Sequence, residues 1–311
     1  MTLTQLEYIV TLDTYRHFSL AAEKCFITQP TLSMQIQKLE EELGLKIFDR
    51  TKQPVIPTEI GRDIIAQARI ALHEAQMIKQ IINDQKDTLA GELRIGIIPT
   101  LAPYLLPPLY KSMREKYPKL NLVLKELITE EVILELKNNR LDCGIVVTPL
   151  KDPSIKEDVL FYEELFVYAS KKNALSEKKY VLANEIDPSQ LWLLEEGHCF
   201  RSQILNLCEL RKSSDLHFKY ETGNIETLKR MVDKSDGLTI LPELAVMEFS
   251  KAQLKLVKQF KRPCPSREVS LVTHRNHIKT KLINTLREEI IAIVPAPMQK
   301  LRDKKVVEIN Y

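Results

Sequence analysis

Apolar residues recur along this chain at different spacings, and each change of spacing marks off a part. Leu3, Leu6, Ile9, Val10 and Leu12 lie at helical intervals and predict an opening helix. Ser19 is placed as the N-cap of a short second helix, "LAAEKC", with a tight turn expected at Phe26-Ile27. Thr28 caps a third helix, and Pro30 suits its first turn, where one N–H is unpaired anyway. From Gln29 onward Leu32, Ile36, Leu39 and Leu43, spaced 4, 3 and 4, make one buried stripe. Thr31, Met34, Gln35 and Lys38 lie opposite, flanked by Ser33 and Gln37. Two helices joined by a turn, the second with hydroxyls and amides on its free face, form a helix-turn-helix. Those side chains can read base edges. "GLKIFDRTKQPVIPT" (44–58) follows and reads as a two-stranded wing, with Lys46, Arg50 and Lys52 able to touch phosphates.

The next thirty residues, 59–88, contain no proline. Ile64, Ala68, Ala71, Ala75, Ile78 and Ile82 are spaced 4, 3, 4, 3 and 4, a heptad seam. Thirty helical residues extend about 45 Å. Such a helix either lies on its own domain or pairs with a second chain. The dimer is favoured, because a helix-turn-helix usually binds two half-sites. Gly91 is expected to stop this helix.

From residue 92 short apolar runs alternate with helical stretches. The runs are "LRIGII", "LNLVLKE", "CGIVVT", "LFVYAS", "LWLLEE", "LHFKYE", "LTILP" and "VSLVTH". The helical stretches are "APYLLPPLYKSMREKYP", "EEVILELKNNR", "SQILNLCELRK", "NIETLKRMVDK" and "IKTKLINTLREEIIAIV". The alternation predicts α/β structure with mainly parallel sheets, in two lobes. The domain reading is thus 1–58 for the winged helix-turn-helix, 59–90 for the linker and dimerisation helix, 91–301 for a regulatory α/β domain, and 302–311 for a charged tail. Lobe I takes 92–162 and 268–301, and lobe II takes 163–267, with a ligand cleft expected between them at the carboxyl ends of strands.

Composition narrows the class without deciding it. With 44% hydrophobic and 28% charged residues the chain reads as globular. Its 45 Lys+Arg against 42 Asp+Glu give a net +3, which neither demands nor excludes nucleic acid. Residues 1–60 hold six Lys/Arg and eight Asp/Glu, so the DNA reading rests on position rather than charge. No signal-peptide pattern opens the chain, and no apolar run of about 18 residues occurs. The expectation is a cytoplasmic protein with no membrane partner. No Cys/His spacing has zinc character; His274 and His277 are expected at an exposed strand end and are assigned no metal.

Five cysteines make an odd count, unsuited to a disulfide framework. Cys25, Cys143 and Cys264 read as small buried hydrophobes, although Cys264, between prolines in a predicted crossover loop, could be exposed. Cys199 is different. In "EEGHCFRSQILNLCEL" (195–210) it lies where a helix is expected to start, with His198 and Arg201 as candidate cations. A helix N-terminus and positive charge both push a thiol toward thiolate. Cys208 shares a helical face with Ile204 and by itself reads as core.

"FSLAAEKCFITQPTLSMQIQKLEEELGLKIFDR" (18–50) resembles, without a gap, the DNA-binding domain of LysR-type transcriptional regulators. The resemblance carries through "AAE", "TQPTLSMQI", "LEEELG" and Ile47-Phe48-Asp49-Arg50; Thr28 stands where serine is commoner and keeps the capping hydroxyl. It implies that Gln29, Pro30, Thr31, Ser33 and Arg50 face an operator in double-stranded DNA, joined in our reading by Thr28, Gln35 and Lys52. It also implies a periplasmic-binding-protein-like effector domain, a homodimer or homotetramer, and RNA polymerase as a candidate partner. Within that family, "GHCFRSQILNLC" (197–208) resembles the sensing segment of the hydrogen peroxide sensors. "GIIPTLAPYLLP", "ITEEVILELKNNRLDC" and "SREVSLV" agree with it. This second resemblance implies a peroxidatic Cys199, a resolving Cys208 that joins it in a reversible disulfide, and a peroxide pocket of Thr100, Thr129, His198 and Arg267. No cofactor is implied. The alternative is a regulator of the same family triggered by a small metabolite between the lobes. A thiol peroxidase would leave the helix-turn-helix without a job, so no enzyme is expected.

Overall fold

The computed structural model of the protein describes residues 1–84, 89–209, 223–275, 277 and 279–309. It divides into two compact units, Met1–Asp87 and Thr88–Tyr311.

The first unit packs α1 (Leu3–Tyr15), α2 (Phe18–Lys24) and α3 (Gln29–Leu43) around Leu6, Ile9, Leu12, Leu32, Ile36 and Leu39. The three strongest stripe positions of α3 are fully buried, as the spacing requires. Gly44, at φ 70°, ends α3 in the left-handed conformation that glycine adopts without strain. A wing of β1 (Phe48–Asp49) and β2 (Ile56–Pro57) follows, antiparallel, and then α4 (Glu59–Asp84). Ser19 is not the cap of α2: the helix starts two residues earlier than expected, at Phe18, with His17 at the cap position and no side-chain cap bond. Starting at Phe18 turns Ala21 and Ala22 into the core, and that burial sets the boundary. The turn between α2 and α3 holds Phe26 at φ 56° and 95% exposed.

The heptad seam divides in two. Ala68 is 3% exposed, and Ile64 and Ala71 pack against the head's own core, so the first half of the seam serves the chain's own domain. Ala75 is half-buried, and Ile78 is 66% exposed. Ile82 lies on α4, but its side chain is outside what the structure describes. Gly91 is not a helix stop. It opens a strand at φ 116°, and Leu89 and Ala90 before it are not helical.

The second unit runs β3 (Gly91–Ile97), α5 (Ala102–Lys116), β4 (Leu120–Glu126), α6 (Thr129–Lys137), β5 (Cys143–Thr148) and the long β6 (Ile155–Ala169). Short β7 (Tyr180–Val181) and β8 (Leu191–Trp192) precede α7 (Cys199–Leu207). Next come α8 (Ile225–Lys234), β9 (Leu238–Pro242), α9 (Glu243–Met247), α10 (Lys251–Leu254), β10 (Val257–Phe260), β11 (Cys264–His274), α11 (Thr280–Ile293) and β12 (Lys304–Val306). The expected strand "LHFKYE" (216–221) lies outside the described residues. "LWLLEE" forms only the two residues of β8.

The sheet is mixed rather than mainly parallel. β3 pairs in parallel with β4 and β5, as crossover helices demand. β11, however, runs antiparallel to both β5 and β6, and β6 runs antiparallel to β9 and β10. β6 and β11 are continuous strands that cross between the two halves of the sheet. The expected lobe borders at 162/163 and 267/268 fall inside them. The crossover is therefore strand, not loop, and Cys264, at its start, is buried at 4% exposure. The tail is partly built in: β12 pairs in parallel with β11. Among the described residues no helix is long and apolar enough to cross a membrane, and no group of three or more His, Cys, Asp or Glu could hold a metal.

Candidate functional site

In the first unit, α3 and the wing carry the residues expected to face DNA. Gln29, Pro30, Arg50 and Lys52 are exposed, and Thr31, Ser33 and Gln35 are half-buried. Thr28 Oγ1 accepts the Thr31 N–H at 3.4 Å and also hydrogen-bonds the Thr31 hydroxyl at 2.8 Å. Gln35 Oε1 accepts from Gln5 Nε2 at 3.5 Å. Arg50 donates to Ser33 Oγ at 3.2 Å and to Glu40 Oε2 at 3.1 Å, and lies over the Phe18 ring at 5.4 Å. Glu40, 1% exposed, also accepts the Ile47 and Phe48 N–H groups at 2.9 and 3.2 Å. One carboxylate thus ties the helix to the wing and sets Arg50. Sequence reading missed it inside the acidic run 40–42. Its signal was position: four after Ile36, it falls on the buried stripe, where a carboxylate needs partners.

In the second unit Thr100 follows β3 and Thr129 opens α6 just after β4, so both lie at carboxyl ends of parallel strands. Arg267 comes from β11 and Cys199 from the start of α7. Arg267 is completely buried, a rare place for a guanidinium without partners. Its Nη1 donates to Thr100 Oγ1 at 2.8 Å, its Nη2 to the Thr100 carbonyl at 3.2 Å, and its Nε to Glu163 Oε2 at 2.7 Å. The guanidinium also lies over the Phe200 ring at 5.0 Å.

Cys199 is buried, and burial pushes its thiol above the usual 9.0. The Thr129 hydroxyl, the positive charge of Arg267 and the backbone N–H groups of Phe200 and Cys199 pull the other way. The expected net push toward thiolate is therefore reversed at rest, because desolvation outweighs the favourable groups. The cation acting on the thiol is Arg267; Arg201 instead donates to the Leu194 carbonyl at 2.8 Å. Thr129 Oγ1 is buried and makes no well-formed hydrogen bond. His198 is buried too, but its Nε2 faces Glu195 at 3.6 Å. Gly223 packs so closely on that ring that a Cβ there would lie 2.9 Å from Nε2. Thr100, Thr129, Arg267 and Cys199 are thus gathered at one place, and Glu163 and Phe200 join them.

Glu163 was legible in hindsight, since it shares the inward face of β6 with Phe161, Leu165 and Val167. Cys208 caps the far end of α7, is buried, and has its pKa pushed up to about 12 by burial alone. Both thiols are free. An intact helix over that span rises about 13.5 Å, about twice the Cα separation of about 7 Å beyond which no disulfide closes without backbone movement. Chemically, the arrangement offers a thiol with a cation and a hydroxyl at one helix end, and a second thiol out of reach at the other.

Residues 3–62 match the bacterial regulatory helix-turn-helix protein family lysR, and residues 86–294 match the LysR substrate binding domain. A relative from Haemophilus influenzae, "Hydrogen peroxide-inducible genes activator", is 35% identical over 88% of this chain and 90% of its own length. Full-length OxyR from Pseudomonas aeruginosa, carrying a cysteine-to-aspartate substitution, superposes with a TM-score of 0.81 at 34% identity, over 94% of this chain and 98% of that one. A cysteine-to-serine mutant of OxyR from Corynebacterium glutamicum, with hydrogen peroxide bound, reaches a TM-score of 0.62 at 25% identity, over 94% and 92% of the two chains. A winged helix-turn-helix, a long α4 and an α/β unit with crossing strands, matched along nearly the whole length, place this chain in the LysR family of DNA-binding transcriptional regulators, in its OxyR-like group.

Proposed function

We propose that the protein is a transcription regulator switched by hydrogen peroxide through a reversible Cys199–Cys208 disulfide. The observation that carries this is the pair of free, buried thiols at opposite ends of α7, one beside Arg267 and the buried Thr129 hydroxyl. The relatives' names, activator of peroxide-inducible genes and OxyR with peroxide bound, support the same chemistry.

Peroxide meets Cys199 with Thr129 and Thr100 orienting its oxygens and Arg267 stabilising negative charge on the departing one. The Cys199 sulfur attacks one oxygen and the O–O bond breaks. The thiol proton leaves with the departing hydroxide as water, and Cys199 becomes a sulfenic acid. Cys208 then attacks that sulfur, and a second water leaves as the disulfide forms. Two thiols and one peroxide become one disulfide and two waters. Because α7 holds the cysteines apart, the second step requires α7 to unwind and Cys208 to leave its apolar packing. The result is two discrete conformations of the regulatory unit. A homodimer, in the family usually a homotetramer, reads that change out through α3 and the wing on operator DNA, in the cytoplasm, with RNA polymerase as the downstream partner. In the dimer we assign the exposed part of α4, with Ile78, to the subunit contact.

Promoter induction in cells carrying Cys199→Ser tests the reading. The variant is expected to bind the operator and to lose the peroxide response. Normal induction by peroxide would overturn the assignment and return the metabolite-triggered alternative.

A further inference from the structure

We infer that Glu163 is a positioning residue for the sensing thiol: it fixes Arg267 and partly cancels that cation's field at Cys199. This rests on the sensing role proposed for Cys199. Glu163 and Arg267 are direct cross-strand partners on β6 and β11, at the crossing between the two halves of the sheet. Both are 0% exposed. Each carboxylate oxygen is held: Oε2 by Arg267 Nε at 2.7 Å, Oε1 by the Leu244 N–H of α9 at 2.8 Å. Thr100 takes two more donors of the guanidinium, and Phe200, next to Cys199, lies against its face. Arg267 is thus clamped on all sides and cannot follow the thiol.

Among the described residues, the other ionisable groups around this pair and the thiol include Tyr104 of α5, whose hydroxyl is engaged by Glu226, Glu243 of α9 with Glu164 and Lys304 near it, and His198 with Glu195 ahead of α7. None of these replaces the contact that Glu163 makes. A buried cation with its counter-charge attached projects a weaker field than the cation alone.

The test uses the full chain as wild type, Glu163→Gln and Glu163→Gln/Arg267→Gln. Iodoacetamide labelling of Cys199 is followed against pH by mass spectrometry of its peptide. The Gln variant keeps shape and removes the negative charge. Its labelling midpoint is expected to fall by about one pH unit, about tenfold faster labelling at neutral pH. The double variant, with both charges gone, should have a midpoint above wild type. An unchanged or raised midpoint in Glu163→Gln overturns the inference. If that variant does not fold, a double-variant midpoint at or below wild type does the same. Labelling needs no peroxide, so a shifted midpoint in a protein indifferent to peroxide would sink the sensing role and leave this electrostatic one standing.

A separate set of contacts carries a second inference: we propose that the C-terminal segment clasps α7. Val307 N–H donates to the Ser266 carbonyl at 2.8 Å, extending the β12 pairing, and Ile309 is buried at 5% exposure. The two carbonyls that follow β12 are taken by α7: Gln203 Nε2 donates to Val307 O and Asn206 Nδ2 to Glu308 O, both at 3.0 Å. The helix that unwinds in the proposed switch, on which this inference rests, is thereby held at its middle and near its C-terminal end. Gln203→Ala/Asn206→Ala in the full chain removes both bonds while placing the best helix former at each position. Disulfide closure after a peroxide pulse should be at least about fivefold faster, with sulfenic acid formation unchanged. Closure at the wild-type rate or slower overturns the clasp. Ile309→Asp, which expels the tail without touching α7, is a second route with the same expectation and the same contrary outcome.

Discussion

Replacing Thr129 by valine separates reactivity from stability. The two side chains have the same shape and branching, so α6 keeps its first turn. What goes is one hydroxyl, buried and without a well-formed hydrogen bond, beside a buried thiol. A polar group left in that state costs about 1–3 kcal/mol, so Thr129→Val should melt at the wild-type temperature or a few degrees above it. Its effect on Cys199 has the opposite sign. The hydroxyl is one of the groups that pull the thiol pKa down against burial, and a hydrogen bond to a charged partner contributes about 1.5–3 kcal/mol. Losing it removes about one to two pH units of thiolate stabilisation. Sulfenic acid formation should slow by about tenfold or more at neutral pH, and its alkaline rise should move to higher pH. Stopped-flow mixing with peroxide, read by tryptic mass spectrometry, gives the rate, and calorimetry gives the melting temperature. A variant that is clearly destabilised, or that reacts with peroxide at the wild-type rate, would refute the role given to this hydroxyl.

Ser33→Ala should weaken operator binding by about 1–3 kcal/mol at fixed salt and leave Cys199 oxidation untouched; titration of labelled operator DNA against each variant measures it. Ile78→Glu should shift the assembly toward smaller species in analytical ultracentrifugation with the head still folded, whereas Ala68→Glu, placing an unpaired charge in the head core, should destabilise that unit by about 3 kcal/mol or more. Cys208 keeps its proton in the folded state up to about pH 12, whereas the unfolded thiol loses it near 9.0. Its contribution is therefore complete below pH 9 and is lost as pH rises toward 12, up to about 4 kcal/mol across that window. Cys208→Ala should flatten the fall in unfolding free energy there, and equal slopes for the two proteins would count against the burial of this thiol.

The head was legible because its helices announce themselves locally. The 4, 3, 4 stripe of α3 and Thr28 at its cap each follow from residue chemistry without tertiary information. The α2 boundary was not, because burial of Ala21 and Ala22 against neighbouring helices outweighed a serine that could cap. In the second unit, apolar runs located β3, β4, β5 and β9. Strand direction is a tertiary property, and the antiparallel crossing of β6 and β11 leaves no periodic trace. That crossing also explains why Cys264 was misread as loop. At the site, the resemblance named Thr100, Thr129, Arg267 and Cys199, which the fold brings together, but it carried nothing of their electrostatics. That Arg267 rather than Arg201 reaches the thiol, and that Glu163 holds it, depends on residues more than sixty positions apart meeting in the fold. The tail carried no pattern at all, since β12 is defined by its partner strand rather than by its own composition.

The most direct measurement of the switch is peptide mapping after a brief peroxide pulse, without reductant. Trypsin cuts after Arg201, between the two cysteines, and so releases Cys199 and Cys208 on separate peptides. In the untreated protein both should appear as free thiols, as the separation imposed by α7 requires. After peroxide the two peptides should travel as one species, two hydrogens lighter than their sum, that reductant splits. Peptides that stay separate after a pulse sufficient to induce the target promoter, or a linked pair already present in the fully reduced protein, would contradict the account.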